Sequence, residues 1–405
     1  MAILEVQWVE AAAYVGAALC MGFGAIGAAL GEGYAAGRAA QAIAKDSELS
    51  GPILKNMLIG QAVAESAGIF ALVIAMLMLF VNAEGATLVQ GFAYLGSGLA
   101  MGLGAVGSGL GSGFPAAEAS EGLASNPSTA GSLTTNMLIG AAICQTPAIF
   151  AMVVAFMLMF TDYSSMALWP TWAALLGAGL SVGLAAIGSG VGSGMPAGSS
   201  TLGISRQPAA ASQIRTNMLI GSAVSQTPAI FGMVVAFMLM FVDFSDRAAW
   251  PTWAALLGAG LSTGLSAIGP GIGNGFTAWE ASAGVARVPE ASGPITTTML
   301  IGQTVAQSTV IYGFLVSLIL LFIPLEASTN IVDWTIPLSA GICMGFGGIG
   351  PGIGEGIAAA YAVNRIARDA EQRVLLTRVM LVGQAVAEST GIYSLIVSLL
   401  LLFVV

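Results

Sequence analysis

The heptapeptide GQAVAES stands at residues 60–66 and again, letter for letter, at 383–389, both times inside strongly apolar surroundings. Three relatives of it, GAAICQT (140–146), GSAVSQT (221–227) and GQTVAQS (302–308), put glutamine where those two have glutamate. The key residue therefore falls at Glu65, Gln145, Gln226, Gln307 and Glu388, with spacings of 80, 81, 81 and 81. NMLIG or a close variant precedes each copy. A fixed period of this kind is the mark of a repeat architecture. Five units fill the chain: 1–83, 84–164, 165–245, 246–326 and 327–405.

Each unit holds two long apolar stretches. Runs such as Ile69–Val81, Ala148–Phe160, Ile230–Phe241, Val310–Ile323 and Ile392–Val405 extend through their flanks to about 20 residues, enough to span a bilayer. Composition agrees: 57% of the 405 residues are hydrophobic, 8% are charged, and there is no histidine. The surface of a soluble domain needs roughly a quarter of its residues charged. The expected fold class is an all-α membrane protein with ten transmembrane helices in five tandem hairpins. A net charge of −9 without a basic patch excludes nucleic acid as a partner. MAILEVQWVE (1–10) has no basic flank before its apolar stretch and is not expected to be a cleaved signal peptide. Cys20, Cys144 and Cys343 lie in apolar segments without metal-type spacing, as small packing residues do.

The two halves of a unit differ. The first is loaded with glycine, as in Gly22, Gly24, Gly27, Gly31, Gly33 and Gly37, or Gly345, Gly347, Gly350, Gly352, Gly354 and Gly356. Small residues let membrane helices approach closely, so the first helix should face a crowded interior. The second half, rich in Leu, Ile, Val, Met and Phe, should face lipid. GFGAIG (22–27) fits the dinucleotide-binding pattern, but it lies within a continuous apolar helix and recurs in every unit, so it binds no nucleotide. Ten of the eleven Lys and Arg residues lie near or in the loops inside the hairpins, and only Arg247 lies in a linker between them. The positive-inside rule makes those loops cytoplasmic. Both termini and the linkers, with Glu84, Asp162, Asp243, Asp246, Glu326 and Asp333, then fall on the opposite side.

Four acids lie deep in the apolar helices: Glu32, Glu65, Glu355 and Glu388. A charge at mid-bilayer costs on the order of 3 kcal/mol or more, so such residues read as functional. They come as two matched pairs, each 33 residues apart. Two carboxylates close together in low dielectric disfavour joint ionisation, so each pair should keep one proton.

With its glycine-repeat helix, short polar loop and outer helix carrying a central carboxylate, each unit resembles the c subunit, or proteolipid, of rotary ATP synthases and ATPases. The resemblance covers the chain five times and is most specific in GIGPGIGEG (348–356) with GQAVAESTGIYS (383–394), which is similar to the sodium-type members. It implies a five-hairpin fusion that forms part of a c-ring with further copies of itself, set among membrane lipids. It also implies a stator a subunit with a membrane arginine and central-stalk subunits as partners, and a rotor that carries ions but is not itself catalytic. The membrane would be a bacterial or archaeal plasma membrane. No cofactor is expected; the cargo is sodium or protons.

By the same resemblance, Glu388 and Ser389 are ion ligands, with Glu355 and the carbonyl of Val386; Thr390 holds a water and Tyr393 hydrogen-bonds the acid. The first hairpin offers Glu65, Ser66, Glu32 and the carbonyl of Val63, but has Ala67 and Phe70 where the last has Thr390 and Tyr393. Gln145, Gln226 and Gln307 cannot release an ion-binding charge, and their inner-helix partners Ser112, Ser193 and Asn274 are also neutral. Those three hairpins read as spacers. Pro147 and Pro228 should loosen the outer helix by removing a backbone donor. In a closed ring hairpin 5 of one copy neighbours hairpin 1 of the next. The site there is expected to combine Glu388 and Ser389 with Glu32 and Val63, or Glu65 and Ser66 with Glu355 and Val386. Two other readings stand beside this one. Internal repeats and buried acids also occur in secondary transporters and channels, and the chain could be a structural membrane ring with remnant carboxylates.

Overall fold

The computed structural model describes residues 2–83 and 85–405, with side chains from residue 5 onward; Glu84, one of the expected linker acids, lies outside the described residues. Ten helices among the described residues are long and apolar enough to cross a membrane. The five glycine-rich inner helices span Glu5–Lys45, Leu88–Ser125, Leu168–Arg206, Ala249–Arg287 and Ile331–Ile366. The five outer helices span Ser47–Leu79, Pro127–Phe160, Pro208–Phe241, Pro289–Phe322 and Ala370–Phe403. No strand occurs among the described residues. In lipid this is one of the two arrangements that satisfy every backbone group.

Each inner helix turns into its outer partner through one short 3-10 turn, such as Pro127–Thr129 or Pro208–Ala210. Proline opens three of these turns, where its fixed φ suits a helix start and its missing N–H costs nothing. Asp46 opens the first by accepting from Glu48 N at 3.1 Å. On the opposite side the linkers fold on Asx turns, with Ser164 N donating to Asp162 at 2.8 Å and Ser245 N to Asp243 at 2.9 Å. These bonds hold both exposed carboxyls below the usual carboxylate range.

Hairpins pack in chain order, inner helix against inner helix, in one continuous row. A Cβ on Gly192 would fall on the carbonyl of Gly271, and one on Gly273 on that of Gly352, so only glycine permits the approach. Each outer helix except the last packs against its own inner helix and the following one, covering the seam between them. Serine hydroxyls tie the two layers: Ser97 Oγ donates to Ala155 O, Ser181 Oγ to Gly232 O and Ser262 Oγ to Gly313 O, each at 2.9 Å. The asparagines of NMLIG work between hairpins, Asn136 Nδ2 donating to Ser200 Oγ and Thr201 Oγ1 at 2.9 Å.

Burial follows this layering. In the apolar stretches of hairpins 2 to 4 the inner helices are 72% buried and the outer ones 44–50%, whereas that of the last outer helix is only 11% buried, with no following hairpin packed on it among the described residues. At the linker side an aromatic ladder runs along the row through Trp8, Phe92, Trp172, Trp253 and Trp334, with ring centroids 5.1–5.5 Å apart. Such amphipathic rings favour the membrane–water boundary. At the hairpin-turn side Arg38 pairs with Glu118 at 3.3 Å and Lys45 with Glu121 at 2.5 Å, linking hairpin 1 to hairpin 2.

Candidate ion-binding site

The repeated heptapeptide places its key residue midway along each outer helix, where that helix faces the preceding hairpin. Gln145 shows the geometry most fully: its Nε2 donates to Ser112 Oγ of its own inner helix at 2.8 Å and to Val63 O of hairpin 1 at 3.1 Å. Gln226 repeats the second contact, donating to Ile143 O of hairpin 2 at 2.9 Å. Pro147 leaves this acceptor one helical donor short, whereas Val63 O accepts its glutamine with no proline four residues on. In an unbroken helix the N–H of residue 147 would bond Ile143 O, and Pro147 has none. The outer helix of hairpin 2 is interrupted at Gln145, and that of hairpin 4 is interrupted at Gln307 with no proline after it. That of hairpin 3 stays continuous across Pro228, so the interruptions do not follow the prolines, contrary to the expected loosening at Pro147 and Pro228.

Hairpin 5 carries carboxylates in the same frame. Glu388 accepts from Tyr312 Oη of hairpin 4 at 2.5 Å. Glu355 is within electrostatic reach of it, fully buried, and neither carboxylate oxygen has a hydrogen-bond partner. Gln384, one turn before Glu388, donates to Glu355 O at 3.1 Å and to Gly302 O at 2.9 Å, which leaves its buried Oε1 unpartnered. Ser308 Oγ and Thr309 Oγ1 of hairpin 4 are also buried and unpartnered. Buried polar atoms are rarely left so. What collects here is oxygen, with no positive group supplied by the described residues.

Hairpin 1 has the same parts but is open. Glu32 is half-buried and within electrostatic reach of Glu65, which is exposed. Gln61 Nε2 donates to Glu32 O at 3.1 Å, matching Gln384 and Glu355. Ser66 Oγ donates to Ala62 O on its own helix.

Several expected placements differ. Tyr393 does not reach Glu388; it is 62% exposed, and Tyr312 makes that bond, because the outer-helix residue five positions past the key residue points to the following hairpin. Val386 is 68% exposed, and its carbonyl accepts from Ser389 Oγ at 2.7 Å. Thr390 Oγ1 donates to Ala387 O, so these three residues share the free edge of the row. Val63 O serves Gln145 of hairpin 2. The inner-helix residue comes from the same hairpin as the key residue, as Gln145 and Ser112 show, whereas the junction pairings drew it from a neighbour. Ser193 and Asn274 differ again: Ser193 Oγ bonds Gly190 O, and both side-chain polar atoms of Asn274 are buried without partners. Reading the repeat alone misses Gln61, Gln384 and Thr309; Ser308, with Gln307, Gln303 and Tyr312, is legible there as the least altered of the neutral sets. A signal for the glutamines is present, since glutamine one turn before the key residue occurs in hairpins 1, 4 and 5 but not in 2 and 3.

Comparison with known proteins follows the same period. The family described as the C subunit of ATP synthase matches residues 15–78, 95–158, 176–239, 257–320 and 338–401. The K subunit of the A-type ATP synthase of Methanocaldococcus jannaschii is 32% identical over 232 residues, covering 57% of this chain and 96% of that protein. The ATP synthase c subunit of Petrotoga mobilis is 55% identical over 67 residues, 16% of this chain and 70% of that protein. That of Thermotoga maritima is 53% identical over 68 residues, 17% of this chain and 80% of that protein.

Proposed function

The chain belongs to the ATP synthase C-subunit family, and on that premise we propose that it carries ions on Glu65 and Glu388 as part of a rotor ring. It is an integral membrane protein, and the membrane-embedded rotor of a rotary ATP synthase is where this family acts. Hairpins 1 (1–83) and 5 (327–405) are the carriers; hairpins 2 to 4 (84–164, 165–245, 246–326) are neutral spacers. The observation that carries this reading is the buried Glu355 carboxylate, both oxygens unpartnered, beside Glu388.

An oxygen-only set of this kind suits a hard cation, and we favour sodium over a lone proton at Glu388. Glu388, Glu355, Gln384 and Ser308 are the candidate donors. With one proton kept between the two carboxyls, bound sodium makes the loaded site neutral, which a passage through lipid requires. Discharge would follow when a stator a subunit offers its arginine in place of the ion. Rotation would then couple through central-stalk subunits to ATP. Two carriers in five hairpins mean few ions per turn, a gearing that favours ATP-driven pumping. The basic hairpin turns lie on the cytoplasmic side by the positive-inside rule.

Labelling of the purified ring with a hydrophobic carbodiimide tests this. Glu65 and Glu388 are expected to react, and millimolar sodium should slow the reaction at Glu388. Label confined to loop acids such as Glu371 would overturn the assignment, and reaction at Glu388 that sodium does not slow would make the proton the cargo.

A further inference from the structure

The face of the row turned away from the outer helices is uneven. Between the inner helices of hairpins 4 and 5, near the hairpin turns, lies a groove of about 550 Å³ lined by Phe276, Trp279, Ile357, Tyr361, Arg365 and Arg368. Every lining residue belongs to an inner helix or, for Arg368, to the turn after it. At the same level the seam between hairpins 3 and 4 keeps only about 220 Å³. There the Trp279 ring lies 3.2 Å from where a Cβ on Gly198 would stand, and fills the seam. Hairpin 5 has Ala360 in the place of Trp279, so the seam it makes with hairpin 4 stays open.

The basic groups of this groove are also left over. In the seam between hairpins 1 and 2, Tyr34 packs edge-on against Phe114, and Arg38 and Lys45 pair with Glu118 and Glu121. In hairpin 4, Glu280 pairs with Arg287 at 3.7 Å and accepts from Asn364 Nδ2. Arg365 and Arg368 form no ion pair among the described residues. Asp369, next to Arg368, accepts from Gln372 Nε2 at 2.6 Å. Arg368 belongs to a repeat series of Lys45, Ser125, Arg206, Arg287 and Arg368. Arg365 is peculiar to hairpin 5, since the other four have Ala42, Gly122, Gly203 and Gly284 there.

Apolar and charged parts are separated along the groove. Phe276, Ile357 and Tyr361 are large side chains left exposed. Ile357 stands eight residues before Arg365, about 12 Å along the helix. A basic mouth above an aromatic and aliphatic bed is the shape of an amphiphile with an anionic head. A free anion or an acidic protein loop would use the arginines and leave the bed bare.

We infer that this groove holds one anionic phospholipid per chain, its phosphate on Arg365 and Arg368 and its acyl chains along Phe276, Ile357 and Tyr361. Guanidinium groups match phosphate oxygens in geometry, and basic pockets between membrane helices take such headgroups. The seam between hairpins 1 and 2 lacks the unpaired arginines, and the seam between hairpins 3 and 4 lacks the room. The inference does not depend on which residues carry ions.

Native mass measurement of the purified protein with added lipid tests it. Phosphatidylglycerol should bind at one per chain, and phosphatidylcholine with the same acyl chains about tenfold more weakly. Arg365→Gln combined with Arg368→Gln should weaken phosphatidylglycerol about tenfold and leave phosphatidylcholine unchanged. Arg378→Gln, at an exposed arginine of the outer helix, should leave the one-per-chain binding as it was. Ala360→Trp keeps both arginines but gives this seam the side chain that closes its neighbour, and it should expel the lipid without lowering the melting temperature. Equal binding of the two lipids overturns the inference, as does phosphatidylglycerol retained in full by the double variant or by a folded Ala360→Trp. Inorganic phosphate that displaces the lipid at equal concentration would also overturn it, by making the occupant a free anion. Should Ala360→Trp fail to fold, the arginine variants still decide.

Discussion

The positions of Gln145 and Glu388 are the same place in the repeat and differ by one functional group. At Gln145 the amide nitrogen faces Ser112 Oγ and Val63 O, so the residue brings its own donor to a site built of acceptors. At Glu388 that donor is absent. The carboxylate takes a hydroxyl from Tyr312, and Glu355, Gln384 and Ser308 are left with unpartnered oxygens around it. On the proposed function, the glutamine amide stands where the cation would stand and cannot leave. A spacer hairpin would in this sense be a carrier hairpin with the cation replaced by a fixed dipole, and only the carrier would exchange.

The largest expected effect comes from converting the second kind of site into the first. Glu388→Gln should abolish carbodiimide labelling at that position. Ions moved per ATP by the reconstituted complex should fall to about half, because one of the two intramembrane carriers is gone. Gln226→Ala, which removes only the bond to Ile143 O, should leave that ratio unchanged. Equal losses in the two variants would mean that amide and carboxylate serve the same structural purpose, and the contrast would collapse.

The opposite conversion is expected to show in stability. Gln145→Glu replaces two donated bonds with carboxylate oxygens facing Val63 O and Ser112 Oγ at a nearly buried position. Leaving such groups unsatisfied costs about 3 kcal/mol. The purified ring should melt at a lower temperature, and added sodium should restore part of the loss by supplying the missing positive partner. Full stability without sodium would show that Ser112 can turn its proton to the acid, and that this hairpin is already equipped to carry.

How far this contrast could be read in advance depends on what a period reveals. The five hairpins, their inner and outer helices and the two matched acid pairs are set by spacing along one chain, and GQAVAES with its glutamine-bearing relatives displays them directly. Pairing between hairpins is another matter. Val63 and Glu65 lie two residues apart on one helix, yet the carbonyl of the first serves hairpin 2 while Glu65 itself opens toward the free edge. Which face meets which neighbour depends on how the outer helix lies over the seam, and that is set by the glycine contacts of the layer beneath. For the same reason the family resemblance offers Tyr393 as the partner of the acid five residues before it, when the bond comes from Tyr312, a full repeat earlier. Ser308 and Thr309 belong to a nominally neutral hairpin, and only the hairpin that follows them gives their hydroxyls a purpose.

The smallest effect concerns the proline that accompanies the glutamine in hairpin 2. Pro147 removes the helical donor to Ile143 O, and that carbonyl accepts Gln226 Nε2 at 2.9 Å. Two accounts of the proline differ in what they require. If the spacer site depends on a carbonyl free of any other bond, Pro147→Ala should release Gln226 and destabilise the seam between hairpins 2 and 3. A carbonyl oxygen has two lone pairs, however, and can accept a backbone and a side-chain donor together. The helix also restarts at Thr146, so Pro147 already lies in a first turn, where a missing N–H costs least. We therefore expect Pro147→Ala to leave the ring as stable as before or more stable, by less than about 1 kcal/mol, with ions per ATP unchanged. Thermal melting of the purified ring measures this. A loss beyond that size would show that the spacer site needs an undivided acceptor, and the amide at Gln226 would then be a weaker substitute for a cation than the one at Gln145.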